Sequence, residues 1–214
     1  MSKKDINKLK RVSVFEEKIP DLEKRVDCLA QVFSVMLTYL FSVDNFSEIE
    51  KKKFTTGDIG GTPNRMARAL IEMTRGYYDK PEEYLSLFDN PNKENPQLVV
   101  VNKTHFTSLC EHHLLPFSGY VSIGYKKKKK IAGLSKFGRV VDTFAHRLQL
   151  QEKLTKEIFD FLKEVLQPKE LFVRIIGEHD CISCRGVNQK DSNTITIMKT
   201  EGISYDVINN VIKE

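Results

Sequence analysis

Cys110, Glu111, His112 and His113 put a thiol, a carboxylate and two imidazoles in four consecutive positions. Thiolate and imidazole are the side chains present that bind Zn²⁺ best. Cys110 and His113 have the C-x-x-H spacing that lets one tight turn present two ligands to one ion. A second cluster, HDCISC from His179 to Cys184, supplies the further ligand that a site needs. On an extended strand residues i and i+2 project to the same side, so His179 and Cys181 are expected to face one pocket. Cys110, His113 and Cys181 then form a Cys₂His set with the fourth tetrahedral position open, the pattern of a catalytic zinc. Zinc lowers the pKa of a water it holds to about 7. His112 and His179 would stand beside it as acid/base groups. Spacing alone leaves open a closed Cys₃His structural knot that also takes in Cys184. Mechanism argues against the knot, because a fourth thiolate would fill the position the water needs.

The surroundings of these clusters are basic. Ser135, Lys136 and Arg139 fall at or near a helix N-terminus, where backbone N–H groups and the helix dipole favour anions. Arg185 directly follows the second cluster, and Arg65 and Arg68 lie one turn apart on one helix face. Several guanidinium groups at one pocket would suit phosphate, which arginine binds bidentately. In Gln151-Glu152, the Glu152 carboxylate could accept two N–H donors from a guanine edge.

The elements that must position these groups follow from periodicity. Residues 1–19 are charged and weakly periodic, an arm. Residues 20–95 read as a helical N-terminal region. Leu22, Val26, Leu29, Phe33, Leu37 and Leu40 line one helix face, with Val32, Val35, Met36 and Phe41 widening it. A stripe so broad predicts burial on more than one side, against another subunit. Thr62-Pro63 starts a second helix that reaches about Tyr78. A polar loop with Pro91 and Pro96 marks the boundary, and residues 96–214 form the compact domain. Its order is strand (98–106), strand (119–125), helix (134–150), helix (152–166), strand (171–176), strand (193–199) and a short terminal helix (204–213). That order predicts an α+β fold, an antiparallel four-stranded sheet with two helices over one face.

Composition narrows the class. A chain of 214 residues with 40% hydrophobic content supports a sizeable core. Four cysteines are too few for a disulfide framework, and three of them sit in the His clusters, which suits a reducing compartment. The apolar run from Val32 to Phe41 is about half the ~20 residues a membrane span needs. Without a secretory h-region, the expectation is a soluble cytoplasmic protein with no membrane partner. The formal charge of +5 permits an anionic ligand. The five lysines from Lys126 to Lys130 read as a solvated loop. They lack the aromatic interleaving of a nucleic-acid surface, so no nucleic-acid partner is expected.

Three stretches in order, SLCEHHLLPFSGYVSIGY, GLSKFGRVVDTFAHRLQLQEKLT and EHDCISCRGV, resemble GTP cyclohydrolase I, and TPNRMARAL resembles that family's TP-x-R helix. The resemblance implies the tunnelling (T-fold) architecture and a zinc-dependent homodecamer of two pentamers with active sites between subunits. The implied reaction, first in pterin and folate synthesis, converts GTP and water to formate and 7,8-dihydroneopterin triphosphate. Carried over by resemblance, zinc is held by Cys110, His113 and Cys181, and His112 and His179 move protons. Ser135 assists ribose opening, and Gln151 and Glu152 grip the purine. Lys136, Arg139, Arg185, Arg65 and Arg68 hold the triphosphate. Cys184, the lysine loop and Ile197 depart from the family pattern. A zinc-stapled nucleic-acid-binding module and a catalytically silent T-fold scaffold are the rival readings.

Overall fold

The computed structural model describes residues 21–40, 61–92, 94–95, 97–126 and 130–212. The N-terminal arm, most of the segment between the first two helices, and Lys127 to Lys129 lie outside the described residues. The chain divides into two compact units, Met1–Leu70 and Ile71–Glu214. Residues 71–95, grouped with the helical region in the sequence reading, therefore belong to the sheet-bearing unit.

In the first unit, α1 spans Leu22–Leu40 and α2 begins at Thr62, running to Met73. The Asp21 carboxylate caps α1 by accepting from the Lys24 N–H at 3.0 Å, satisfying one of the free donors of the first turn. Of the predicted apolar stripe only Val26 is buried, joined by Ala30, while Val32, Val35, Met36, Tyr39 and Leu40 are exposed. Among the described residues the outer part of the stripe is exposed, and Phe41 lies outside them.

The second unit is built on one sheet. Its strands are β2 (Leu98–Cys110), β3 (Pro116–Lys126), β5 (Leu148–Gln149), β6 (Glu170–His179) and β7 (Thr194–Lys199). They lie in the order β5-β2-β3-β6-β7. The four long strands are antiparallel, as expected from the alternating pattern. The two-residue β5 adds in parallel, setting Leu148 beside Leu109 and Gln149 beside Cys110. A separate ribbon pairs β1 (Leu87–Asp89) with β4 (Lys130–Ala132). Neither short ribbon strand nor β5 is long enough to show alternation, which is why the sequence did not reveal them.

Two helices, α3 (Leu134–Ala145) and α4 (Gln151–Leu166), cover one face. Phe137, Val140, Val141 and Phe144 from α3, with Leu154, Ile158, Leu162 and Leu166 from α4, pack on Val121, Ile123, Tyr125, Leu171, Val173 and Ile175. The predicted helix 134–150 stops at Ala145 because the chain must turn to lay β5 along β2. The α4 helix ends at Gln167, which adopts a left-handed φ of 46° ahead of Pro168. A smaller cluster lies elsewhere: Phe172, Ile203, Ile208 and Ile212, the last three from the C-terminal segment that carries α6 (Tyr205–Val211). The Ser204 hydroxyl caps α6 by accepting from the Val207 N–H at 3.3 Å.

Tyr125 joins the main core to the ribbon. Its side chain is 1% exposed, its ring meets Phe137 at 5.3 Å, and its hydroxyl accepts from the Ala132 N–H at 3.2 Å. Burial pushes the phenol above its ordinary pKa, with the Ala132 bond pulling the other way. Tyr125→Phe should lose about 1–2 kcal/mol, since it strips the Ala132 N–H of its partner and keeps the ring. Urea unfolding measures this, and an unchanged midpoint would show that the hydroxyl contributes nothing.

Candidate active site

The CEHH segment is the turn that closes the β2–β3 hairpin. Leu109 pairs with Pro116, the Cys110 N–H donates to the Leu115 carbonyl at 2.9 Å, and the Leu114 N–H donates to the Cys110 carbonyl at 2.9 Å. Closing so short a loop puts Leu114 in the left-handed region at φ 53°, unusual for a branched residue. Two outside contacts hold the turn. The Glu111 N–H donates to the Gln149 carbonyl at 3.0 Å, and Lys153 reaches the Glu111 carboxylate at 3.3 Å. Glu111, which the sequence reading left without a role, thus ties the turn to α4.

Cys110, His113 and Cys181 converge, with their ligand atoms all within 4.8 Å of one another. Cys110 Sγ lies 3.8 Å from His113 Nδ1. Zinc bonds of about 2.0–2.3 Å put tetrahedral S and N ligands roughly 3.6–3.8 Å apart, so the donor set fits a tetrahedral ion. Cys181 arrives differently from expectation. The strand β6 ends at His179, and Cys181 sits on α5, a single helical turn from Asp180 to Ser183. The shared-face argument for His179 and Cys181 therefore does not describe the geometry. Cys184 follows the turn, is exposed, and is not part of the converging group among the described residues. Gly186, at φ 62°, then redirects the chain. Burial pushes the Cys181 thiol above its ordinary pKa, helped by the charge and hydrogen bonding of Cys110, while Arg185 draws it down. Arg185 therefore lies within electrostatic reach of the cluster.

His179 stands across β3 from the turn. It pairs in register with Phe117, and its ring stacks on the Phe117 ring at 4.7 Å and an interplanar angle of 2°. Its Nε2 lies 3.0 Å from Gln151 Oε1. Burial pushes the imidazole below its ordinary pKa, and the nearby Glu152 carboxylate opposes this. His112 is exposed on the turn, its ring 6.1 Å from that of His113.

The remaining candidates are not gathered here. The Gln151 side chain is 1% exposed and hydrogen-bonded to the sheet, so its amide faces no open space for a purine. Ser135, Lys136 and Arg139 occupy the first half of α3, where Gly138 lies over the Thr104 methyl. Thr104 precedes Cys110 by six residues of strand, roughly 20 Å. One chain therefore keeps these three residues far from its own metal ligands. Arg139 lies 5.8 Å from the Tyr84 ring centre. In the first unit, Arg65 donates to the Thr62 hydroxyl at 2.9 Å, and Arg68 forms a two-pronged pair with Glu23 at 3.2 and 2.8 Å. Sequence reasoning missed Phe117, which stacks on His179, Thr196, which lies 3.1 Å from the Gln151 amide nitrogen, Thr155, which is hydrogen-bonded to Thr196, and Gly177, which lies against the Gln151 amide. Their roles come from tertiary contact and leave no motif.

An α+β unit in which a hairpin turn brings Cys110 and His113, and a one-turn helix brings Cys181, to one point beside the half-buried His179 is a protein with a candidate metal site. The family profile described as GTP cyclohydrolase I matches residues 45–208. GTP cyclohydrolase 1 of Parabacteroides distasonis is 44% identical over 135 residues, 63% of this chain and 69% of that protein. The enzyme of the same name from Bacteroides thetaiotaomicron is 43% identical over 135 residues, 63% of this chain and 68% of that protein. That of Chlorobium phaeovibrioides is 45% identical over 148 residues, 68% of this chain and 65% of that protein. The chain belongs to the GTP cyclohydrolase I family. Its antiparallel sheet with two helices on one face is the T-fold layout that the motifs implied.

The converging group leads to a direct comparison of two cysteines. Cys181→Ser should lose the metal, because a hydroxyl is a poor replacement for a thiolate ligand. Cys184→Ser should keep about one ion per chain. Metal analysis of the purified variants decides it, and equal loss from both would identify a closed Cys₃His knot.

Proposed function

We propose that this chain converts GTP and water to formate and 7,8-dihydroneopterin triphosphate in the cytoplasm, using zinc held by Cys110, His113 and Cys181. The observation that carries the reading is the convergence of those three ligands, with Arg185 within electrostatic reach of Cys181 and Glu152 within reach of His179. Cys110, His113 and Cys181 would hold the zinc, which would supply Lewis acidity and a water of lowered pKa for attack at C8 of the purine. The protein's residues do the rest. Glu152 accepts from the guanine edge and fixes which ring carbon faces the ligands. His179 and His112 exchange protons as the imidazole ring of the base opens and formate leaves. Arg185 pairs with the triphosphate.

Ser135, Lys136 and Arg139 enter this scheme from a second copy. Their distance from Cys110 along α3 and β2 supports that arrangement, and so does the uncovered apolar face of α1. The assembly proposed is a homodecamer of two pentamers, with Ser135 assisting ribose opening and Lys136, Arg139, Arg65 and Arg68 adding charge for the triphosphate. Light scattering tests it: a stable, active monomer would refute it.

The reaction is tested by following formate and oxidised, fluorescent neopterin from GTP, with and without a chelator. Turnover that survives complete metal removal would sink the metal-dependent reading. His112→Ser should keep the metal and lose about 10²–10⁴ in kcat, the usual contribution of a positioned acid/base group. Near-normal formate release from that variant would remove His112 from the proton-transfer role.

A further inference from the structure

The amide of Gln151 is enclosed, and its orientation can be read from its neighbours. Nε2 lies 2.8 Å from the Thr194 carbonyl oxygen and 3.3 Å from that of Ile175. Carbonyl oxygens only accept, so the amide atom facing them must be the nitrogen. The same nitrogen lies 3.1 Å from Thr196 Oγ1. Thr155 Oγ1 donates to the Gln151 main-chain carbonyl at 2.7 Å and lies 2.6 Å from Thr196 Oγ1. With the Thr155 proton so placed, Thr196 donates to Thr155 and is left to accept from Gln151. The two amide hydrogens are shared among three acceptors, the Thr194 and Ile175 carbonyls and Thr196 Oγ1, and the two carbonyls require the nitrogen on this side.

The amide oxygen is then the atom 3.0 Å from His179 Nε2. An amide oxygen can only accept, so Nε2 carries a hydrogen. Stacking on Phe117 fixes the plane of the imidazole but tolerates a half-turn within that plane. The hydrogen bond to Gln151 selects one of the two settings. Gly177 makes room for it: a Cβ there would lie 2.4 Å from Gln151 Oε1 and 3.3 Å from its Cδ.

We infer that Gln151 is a positioning residue that holds His179 as the Nε2–H tautomer, so that Nδ1 is the ring atom that exchanges protons with the substrate. This rests on the reading of His179 as an acid/base group. It replaces the expected purine contact of the Gln151 side chain with an action through His179. Among the described residues Nδ1 has no hydrogen-bond partner, which leaves it available.

The test uses the full-length, zinc-loaded protein labelled with ¹⁵N-histidine. Long-range ¹H–¹⁵N correlations at a pH where imidazole is neutral, about 8, report which nitrogen bears hydrogen. The His179 signals are those missing from His179→Asn among the five histidines. Wild type should show His179 protonated at Nε2 and bare at Nδ1. Gln151→Leu removes the acceptor. Gly177→Ala keeps the amide but pushes its oxygen off the position facing His179, and circular dichroism checks that the sheet is retained. Both should give a mixture of tautomers. Both should also lower kcat on the order of tenfold or more, with a smaller change in the KM for GTP, as loss of a transition-state interaction requires. A wild-type His179 bare at Nε2 would overturn the inference. So would a tautomer that persists in both variants, or a rise in KM at unchanged kcat, which would return Gln151 to ground-state purine binding. The tautomer is read without turnover, so an enzyme inactive on GTP would fail the functional reading while the Nε2–H assignment stood or fell by itself.

Discussion

The register of β3 against its two neighbours sets where everything else in the site can be. On one side Leu109 pairs with Pro116, which fixes the turn carrying Cys110 and His113. On the other side Phe117 pairs with His179, which fixes where β6 ends and the turn bearing Cys181 begins. Two strand spacings of about 4.8 Å separate β2 from β6, so ligands far apart in sequence meet at one end of the sheet. A slip of one residue would send each side chain of the slipped strand to the opposite face. His179 would then leave Phe117 and Gln151 together. The hydrophobic alternation Val121, Ile123, Tyr125 against Leu171, Val173, Ile175 makes such a slip costly, because it would expose the residues that α3 and α4 cover. The core thus specifies the chemistry indirectly, through register.

The long elements were legible because each carries a clean period. Val140, Val141 and Phe144 mark α3 as surely as Ile158 and Leu162 mark α4. The metal group was legible through chemistry, since thiols and imidazoles at short spacing have few other uses. What the sequence hid depends on contacts between distant segments. Two residues at Leu148–Gln149 cannot display alternation, yet they brace the turn at Glu111. Cys181 belongs to the converging group, but a one-turn helix brings it there and not a strand face. Such a short helix has no periodicity to read. The proline-rich loop looked like a boundary because it is polar, whereas compactness divides the chain at Leu70.

Gln151 shows the limit most sharply. In sequence it is one polar residue beside Glu152, and a shared role for the pair is the natural reading. Helical geometry separates them. Side chains one residue apart point about 100° apart around the axis. Glu152 faces outward and is exposed, while Gln151 turns inward against β6 and β7. A buried amide costs stability unless its hydrogen-bonding groups find partners. Here both ends do, and the partner of the oxygen is an imidazole. The same demand for satisfaction that makes the amide tolerable in the core is what orients the histidine.

The thiols obey a related constraint with the opposite sign. Cys181 is half-buried and lies close to the buried Cys110, so ionising Cys181 is opposed by burial and by its neighbour. Arg185 offsets only part of this. A metal ion held by such ligands binds the thiolate, so its binding would release the proton that burial favours on Cys181. His179 is pushed toward its neutral form by the same desolvation, against the pull of Glu152. Burial at this end of the sheet therefore favours the neutral forms of both Cys181 and His179.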